Sequence, residues 1–350
     1  MPLKVALIGY GLGGAVFHAP LIAAVPDLEL AAVVTGNPER QASVRERYPG
    51  AAAVDDVERL WERAESYDLA VVTTPNREHV PLAMAALTAG LPVVIDKPVA
   101  ATATDARALA ALADARGLIV MPFHNRRWDG DFRTVRSLVD GGDLGSVLRF
   151  ESRFERWRPQ IKPGWKENPD PADAGGVLYD LGSHLIDQAV ALFGRPLRVY
   201  AELDARRPGA KVPDDAFVAL THAGGVRSHL WMGAVTARLG PRYRVLGDRA
   251  GYVTYGLDGQ EEALRAGRTP ADEPGWGEMP PESYGTLGIP EATEPVRTEP
   301  GAYQDFYAGV ARAVRGAAPP PVALADAITG LEIIEAAMRS AAEGVTITLP

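Results

Sequence analysis

The stretch Lys4-Val-Ala-Leu-Ile-Gly-Tyr-Gly-Leu-Gly-Gly14 constrains this chain more than any other. Four apolar residues, Val5 to Ile8, read as a buried strand, and Ala15 to Val25 as a helix. Gly9, Gly11 and Gly14 between them have the G-x-G-x-x-G spacing, with Leu12 and an additional Gly13 inside the turn. The first glycine permits a tight turn, the second lets an anion approach the backbone, and the third lets the helix sit close to the strand. The N–H groups and positive dipole end of that helix then face a pyrophosphate. A glycine turn alone also serves plain packing. Here a second apolar strand at 29–34 completes a β-α-β unit, so the turn is expected to bind a nicotinamide dinucleotide.

Apolar strands are predicted at 5–8, 29–34, 69–73, 93–95 and 118–122. Helices are predicted near 14–25, 38–48, 56–66, 77–89 and 103–116. This alternation implies a parallel sheet covered on both faces, a Rossmann domain over residues 1–122. Beyond Pro122 the texture changes. Helices near 128–141 and 177–193 bracket a strand at 147–154 and a loop at 158–176. Strand-like runs follow at 198–203, 216–221, 227–232, 243–247 and 252–254. Short turns between these runs predict a largely antiparallel sheet in an α+β domain spanning 123–350. Residues 256–300, rich in Gly, Pro and Glu, read as an extended surface loop, and helices near 302–315 and 322–342 close the chain.

Bulk properties remove several classes. The 350 residues contain no cysteine, which excludes disulfides, thiol nucleophiles and Cys-ligated zinc. A net charge of −9 argues against a nucleic-acid or acidic-membrane surface. No apolar run spans a bilayer and the N-terminus reads without a signal peptide, so a cytoplasmic protein is expected.

The second strand ends at Thr35, where an NAD-selective site normally places a carboxylate for the ribose hydroxyls. No acid appears there until Glu39. A 2′-phosphate held by Thr35, Asn37 and Arg40 is therefore expected, with NADP(H) favoured over NAD(H); Arg40 could equally be one more solvated helix charge.

Three segments stand at later strand ends: Thr73-Thr74-Pro75-Asn76-Arg77-Glu78-His79, Asp96-Lys97-Pro98 and His124-Asn125-Arg126. Each could be turn chemistry alone. Asp96-Lys97 is the harder to dismiss, since it puts an ammonium over the cofactor crevice at the end of an apolar strand. Farther along, Asp180, His184 and Asp187 are spaced i, i+4, i+7 along one helix. A histidine with a carboxylate one turn away suits proton transfer near neutral pH. A salt-bridged helix face and a divalent-metal site of a sugar isomerase are the other readings of that spacing.

Taken together, the glycine turn, Thr74-Pro75-Asn76-x-x-His79, Asp96-Lys97-Pro98 and Asp180-x-Gly182-x-His184 resemble the Gfo/Idh/MocA oxidoreductase family over essentially the whole chain. The segments 11–21, 124–132 and 178–187 look like its NADP-dependent scyllo-inositol dehydrogenase branch. The resemblance implies an enzyme that moves hydride between nicotinamide and a carbinol carbon of a cyclic polyol or sugar. In it Lys97 would hold the reacting hydroxyl, His184 would take its proton, and Asp180 would orient the substrate and support His184. Thr73, Thr74, Pro75, Asn76, His79, Asp96 and Asn125 would line the cofactor, and His124, Arg126, Trp157 and Trp165 the substrate. Two departures stand out: Asp96 where the family usually has Glu, and His124 where near relatives commonly carry Gln. The resemblance also implies that the open sheet is buried in a homodimer or homotetramer. A non-catalytic dinucleotide sensor on the same fold is the competing reading, against which the retained Lys97, Asp180 and His184 argue.

Overall fold

A computed structural model describes residues 1–350. Strands β1 (Leu3–Ile8), β2 (Leu28–Val34), β3 (Ala52–Val54), β4 (Leu69–Val72), β5 (Val93–Ile95) and β6 (Val120–Pro122) form one parallel sheet. Its order is β3-β2-β1-β4-β5-β6, the doubly wound arrangement that opens a crevice at the carboxyl ends of the strands. Helices α1 (Ala19–Ala23), α2 (Pro38–Arg47), α3 (Val57–Trp61), α4 (His79–Thr88) and α5 (Ala103–Arg116) connect the strands. The strand β3 was not expected; its three residues, Ala-Ala-Val, are too few and too small to show as an apolar run.

Because side chains alternate across a strand, the sheet feeds two cores. Ala6, Ile8, Ala70, Val72, Val93 and Ile95 face one core, and Val5, Leu7, Val33, Leu69, Val71 and Val94 face the other. Local signals fix the ends of the helices. Thr102 accepts a hydrogen bond from the Asp105 N–H at 3.1 Å to start α5, and Gly117, in the left-handed region, ends it. Removing such a cap costs about 1 kcal/mol.

Helix α6 (Gly130–Asp140) leads into the second sheet. That sheet comprises β7 (Val147–Glu155), β8 (Pro196–Asp204), β9 (Asp215–His222), β10 (Arg227–Gly233), β11 (Tyr243–Gly247), β12 (Gly251–Thr254), β13 (Gly285–Ile289), β14 (Ala292–Val296) and β15 (Ile347–Thr348). It is largely antiparallel, with β7 and β10 paired parallel at its centre. Helix α7 (Ser183–Phe193) crosses one face, preceded by a π-helical turn at Leu178–Gly182. Of the closing helices, α9 (Tyr303–Val314) packs against α1, and α10 (Leu324–Glu343) packs against α5 and β6 of the first unit and against β8 and α7 of the second. Tyr303, Phe306 and Tyr307 of α9 join the core under α1, while Leu331, Ile333 and Ile334 of α10 join the opposite core.

The surface loop expected at 256–300 is a correction. It holds the short helix α8 (Gln260–Arg265) and the hairpin β13–β14, and part of it is buried. Gln260 is 1% exposed; its side chain donates to the Trp128 carbonyl and accepts from Trp276 Nε1 and the Tyr303 N–H. The Asp258 carboxylate accepts from the N–H groups of Gly130 and Gln260, each at 2.8 Å. These buried hydrogen bonds fix a segment whose composition is that of a loop.

Candidate active site

The glycine turn has the geometry that a dinucleotide needs. Gly9 sits at φ +99°, a conformation that side chains oppose, and a Cβ on Gly14 would run into the Gly9 carbonyl. A Cβ on Gly11 would meet nothing within 4 Å, so its backbone is open on the side where a pyrophosphate would lie. Leu12, 55% exposed, stands beside this opening. These three glycines thus fit the cofactor's phosphates by close packing at two positions and by open space at the third.

Residues around the turn divide into those that reach the crevice and those that shape it. Thr73 Oγ1 donates to the Gly9 carbonyl at 2.8 Å and so staples β4 to the turn. The Asn76 amide donates to the Asp173 carbonyl, and the two ring nitrogens of His79 each lie 2.8 Å from a carbonyl, of Pro98 and of Thr74. Thr73, Asn76 and His79 were expected to line the cofactor. The contacts of these side chains to Gly9, Asp173, Pro98 and Thr74 tie the segment 73–79 to the glycine turn and to the loop at 170–173. His18, at the end of the first helical turn, is structural: Nδ1 is 2.6 Å from the Tyr307 hydroxyl and Nε2 3.8 Å from Asp96. Asp96 lies under Gly13, whose Cβ would come within 3.0 Å of its carboxylate. Burial would push the Asp96 carboxyl up, but His18, Lys97 and His79 outweigh it and bring it down to about 2.

At the end of β2, Thr35 is buried and its hydroxyl lies 3.5 Å from the Asn37 N–H. Asn37 caps α2 by accepting from the Arg40 N–H at 3.0 Å, and the Arg40 side chain projects from that first turn without an ion pair.

Lys97 follows the fully buried β5 and is aimed across the crevice. Its Nζ donates to the Asp180 carbonyl at 2.6 Å and to Asp180 Oδ1 at 3.0 Å. Lys166 Nζ donates to the same Oδ1 at 2.6 Å. Burial would raise the Asp180 carboxyl, but the two ammonium groups hold it well below the usual carboxylate range. Asp180 was expected to orient the substrate and support His184; in the structure its Oδ1 accepts from both lysines. Burial pushes the Lys97 ammonium down, as does Lys166, against the pull of Asp180 and Asp96.

His184 is 6% exposed and its Nδ1 has no hydrogen-bond partner. Burial first, then the charges of Lys97 and Arg126, hold it well below the ordinary histidine value, so it is neutral near neutral pH. The His124 ring stands edge-on to it with centroids 6.4 Å apart. Its own Nδ1 is unpartnered, 3.9 Å from Asp187. Asp187 belongs to a different group: Arg127 binds it through two nitrogens at 2.6 and 2.9 Å, which leaves the three-ligand helix face of an isomerase incomplete. Asn125 is buried at the start of the turn that carries Arg126. Arg126 lies 4.6 Å over the Phe154 ring and donates to Glu261 at 2.6 Å. Of the aromatic candidates, Trp165 lies under the Lys166 ammonium at 5.4 Å, whereas Trp157 is 59% exposed and pairs with Val235.

Two site residues were not foreseen. Glu261 lies in the segment read as a loop, and no sequence signal marked it. Arg156 follows β7 with its guanidinium 4.8 Å over Phe154 and no carboxylate partner. Continuing the alternation of β7 from Phe150 through Ser152 and Phe154 would have placed Arg156 on the inward face.

Comparison with known proteins agrees with this geometry. Residues 3–124 match the oxidoreductase-family NAD-binding Rossmann fold, and residues 136–349 the C-terminal alpha/beta domain of the same family. The chain belongs to the Gfo/Idh/MocA oxidoreductase family. Within this family it is similar to scyllo-inositol 2-dehydrogenase (NADP(+)) IolW of Bacillus subtilis, 38% identical over 99% of this chain and 96% of the relative. It is also 40% identical to the uncharacterized oxidoreductase YdgJ of Escherichia coli, over 99% of both chains. Among solved structures, the yvaA protein of Bacillus subtilis superposes with a TM-score of 0.94 at 37% identity, covering 99% of this chain and 98% of that one. The Gfo/Idh/MocA chain described here is thus an NAD(P)-dependent oxidoreductase of small molecules, and none of its helices is long and apolar enough to cross a membrane.

Proposed function

We propose that the protein is an NADP(H)-dependent dehydrogenase or reductase acting on a ring CH–OH of a cyclic polyol or sugar, with scyllo-inositol and its ketone as first candidates. The observation that carries this reading is the convergence of three groups on one crevice beside the glycine turn: an ammonium (Lys97), an unpartnered neutral imidazole (His184) and a carboxylate (Asp180). Lys97 donates a hydrogen bond to the reacting oxygen and stabilises the negative charge that grows there. His184 accepts the hydroxyl proton during oxidation and returns it during reduction. Asp180 orients Lys97 and the neighbouring hydroxyls. When bound, the nicotinamide supplies the hydride chemistry. Gly9, Gly11, Leu12, Gly13 and Gly14 hold its pyrophosphate, and Thr74, Pro75, Asp96 and Asn125 line its crevice. His124, Arg126, Trp165 and Arg156 face the polyol.

NADP(H) is favoured over NAD(H) because the end of β2 presents Thr35, a capped helix N-terminus and the unpaired Arg40 in place of an acid. Residues 1–122 serve as the cofactor domain and 123–350 as the substrate and oligomerisation domain. The open face of the second sheet carries half-buried Phe217, His229 and Trp231, with Arg153 stacked 4.0 Å over Trp231, and is assigned to a homodimer or homotetramer interface. The test is absorbance at the reduced-nicotinamide band, with NADP and NAD screened against inositols, aldoses and their keto forms. Turnover of a polyol with NADP supports the reading. Tight NADPH binding without turnover of any polyol or ketone would sink it and point to a sensor.

A further inference from the structure

The Asp180 carboxylate is shared by two lysines that reach the same oxygen from different parts of the chain. Lys97 arrives from the end of β5, and Lys166 from the turn Trp165–Glu167 in the loop joining β7 to the π-helical turn before α7. That loop is anchored on both sides of Lys166. Arg207 donates to both oxygens of Glu167 at 2.9 Å, which ties the loop to the second sheet. Arg77 of the first domain donates to Asp173 at 2.5 Å and to Asp170 at 2.9 Å, and Asn76 donates to the Asp173 carbonyl. Lys166 is thereby held over Asp180 although its side chain is 48% exposed.

A solvated lysine gains little from one carboxylate, since side-chain entropy and screening offset the attraction. Its effect here falls on the other partner. If Asp180 faced Lys97 alone, the whole carboxylate charge would act on that one ammonium and hold it more tightly at the 3.0 Å contact. A second ammonium on the same oxygen neutralises much of that pull and adds like-charge repulsion.

We propose that Lys166 is a positioning residue for the reaction: by sharing Asp180 with Lys97 it frees the Lys97 ammonium to turn toward the reacting oxygen. The proposal rests on reading Lys97 as the group that binds that oxygen. The groups that set the charge on Lys97 are Asp180, Lys166 and Asp96, with His184 and His124 across the crevice. Asp180 and Asp96 hold the proton on Lys97, and Lys166 works against them. Removing Lys166 therefore makes Lys97 harder to deprotonate and binds it more firmly to Asp180.

The experiment compares the wild-type chain with Lys166→Met and Lys166→Arg, using NADPH and the inositol ketone. In Lys166→Met the alkaline limb of kcat/KM, where Lys97 loses its proton, moves to higher pH. Turnover falls about tenfold to a hundredfold, the loss expected for a charged hydrogen bond. NADPH affinity, read by nicotinamide fluorescence, stays unchanged, and Lys166→Arg restores both limb and rate. A limb that does not move, with or without a lower rate, overturns the proposal, because a mere loop anchor would lower the rate without altering the titration. If the wild type turns over no polyol or ketone, the dehydrogenase reading is what has failed. The Lys97 titration, followed by NMR of ε-carbon-labelled lysine, then decides this proposal independently: a rise in Lys166→Met supports it and no change overturns it.

Discussion

Lys97 and Asp180 are 83 positions apart and meet twice, the ammonium lying 2.6 Å from the Asp180 carbonyl and 3.0 Å from its carboxylate. The carbonyl contact places the lysine and the carboxylate contact sets its charge. Asp180→Asn keeps the first and removes the negative charge from the second. Turnover is expected to fall about a hundredfold and NADPH binding to stay nearly intact, the scale of one lost electrostatic contact in a water-poor site. Lys97→Ala removes both contacts and should cost more. Steady-state kinetics beside fluorescence-detected NADPH binding check this; equal turnover in wild type and both variants would remove the pair from the mechanism.

His184 is neutral because burial and the neighbouring cations Lys97 and Arg126 disfavour its protonated form. A base works above its pKa. Oxidation is therefore expected to persist as pH falls past the ordinary histidine value of 6.5 and to fail only below it. His184→Asn should lower turnover about a hundredfold to ten-thousandfold at every pH and abolish that limb. A limb above the ordinary histidine value that survives in His184→Asn would assign the proton transfer to another group.

The dinucleotide-binding fold was legible in the sequence because each requirement there is local. A strand and a glycine spacing lie within one β-α-β unit, and Lys97 stands at a strand end. The substrate half was legible only as residue types. That Lys166 meets Asp180 depends on how Arg77, Arg207 and Glu167 pin a loop, and these contacts join distant parts of the chain. The same holds for Gln260 and Glu261. Their helix has only six residues inside a Gly- and Pro-rich segment, and buried hydrogen bonds to Trp128, Trp276 and Tyr303 fix it where periodicity could not. His79 likewise shows what a motif leaves open, since its two ring nitrogens lie beside the carbonyls of Pro98 and Thr74, contacts that the spacing alone does not give.

The glycines make separable predictions. A Cβ on Gly14 would collide with the Gly9 carbonyl, so Gly14→Ala should destabilise the fold by about 2–3 kcal/mol. Gly11 has open space at its Cβ position and no positive φ, so Gly11→Ala should melt like the wild type and yet lose dinucleotide binding. Thermal denaturation and calorimetric titration with NADPH distinguish the two. Full binding by Gly11→Ala would mean that the pyrophosphate does not approach the backbone there.

Thr35 tests the cofactor choice. Thr35→Asp places a carboxylate at the end of β2, where a 2′-phosphate would be repelled by about 1–4 kcal/mol, so NADPH should weaken relative to NADH by about tenfold or more. Arg40→Ala should act in the same direction with smaller effect, because Arg40 is exposed. Unchanged preference in both variants would put the 2′-phosphate elsewhere.

Behind the site, Asp129 is 1% exposed, 2.5 Å from the Tyr303 hydroxyl and 3.5 Å from Arg126. Burial, reinforced by Asp131 and Asp258 and opposed by Arg126 and Arg242, raises its carboxyl from 3.8 to about 8. The folded state thus keeps a proton that the unfolded chain releases near 3.8. Stability from this group is complete below that lower value and is lost as pH rises toward about 8. Asp129→Asn mimics the protonated form at every pH. Wild-type stability, measured by chemical denaturation from about pH 5 to about pH 8, should therefore fall more steeply than that of Asp129→Asn. Some slope remains in the variant, because Asp131, pushed up to about 6, still titrates in the same network. Parallel curves would show that Asp129 is ionised in the fold and that Arg126 and Arg242 neutralise it.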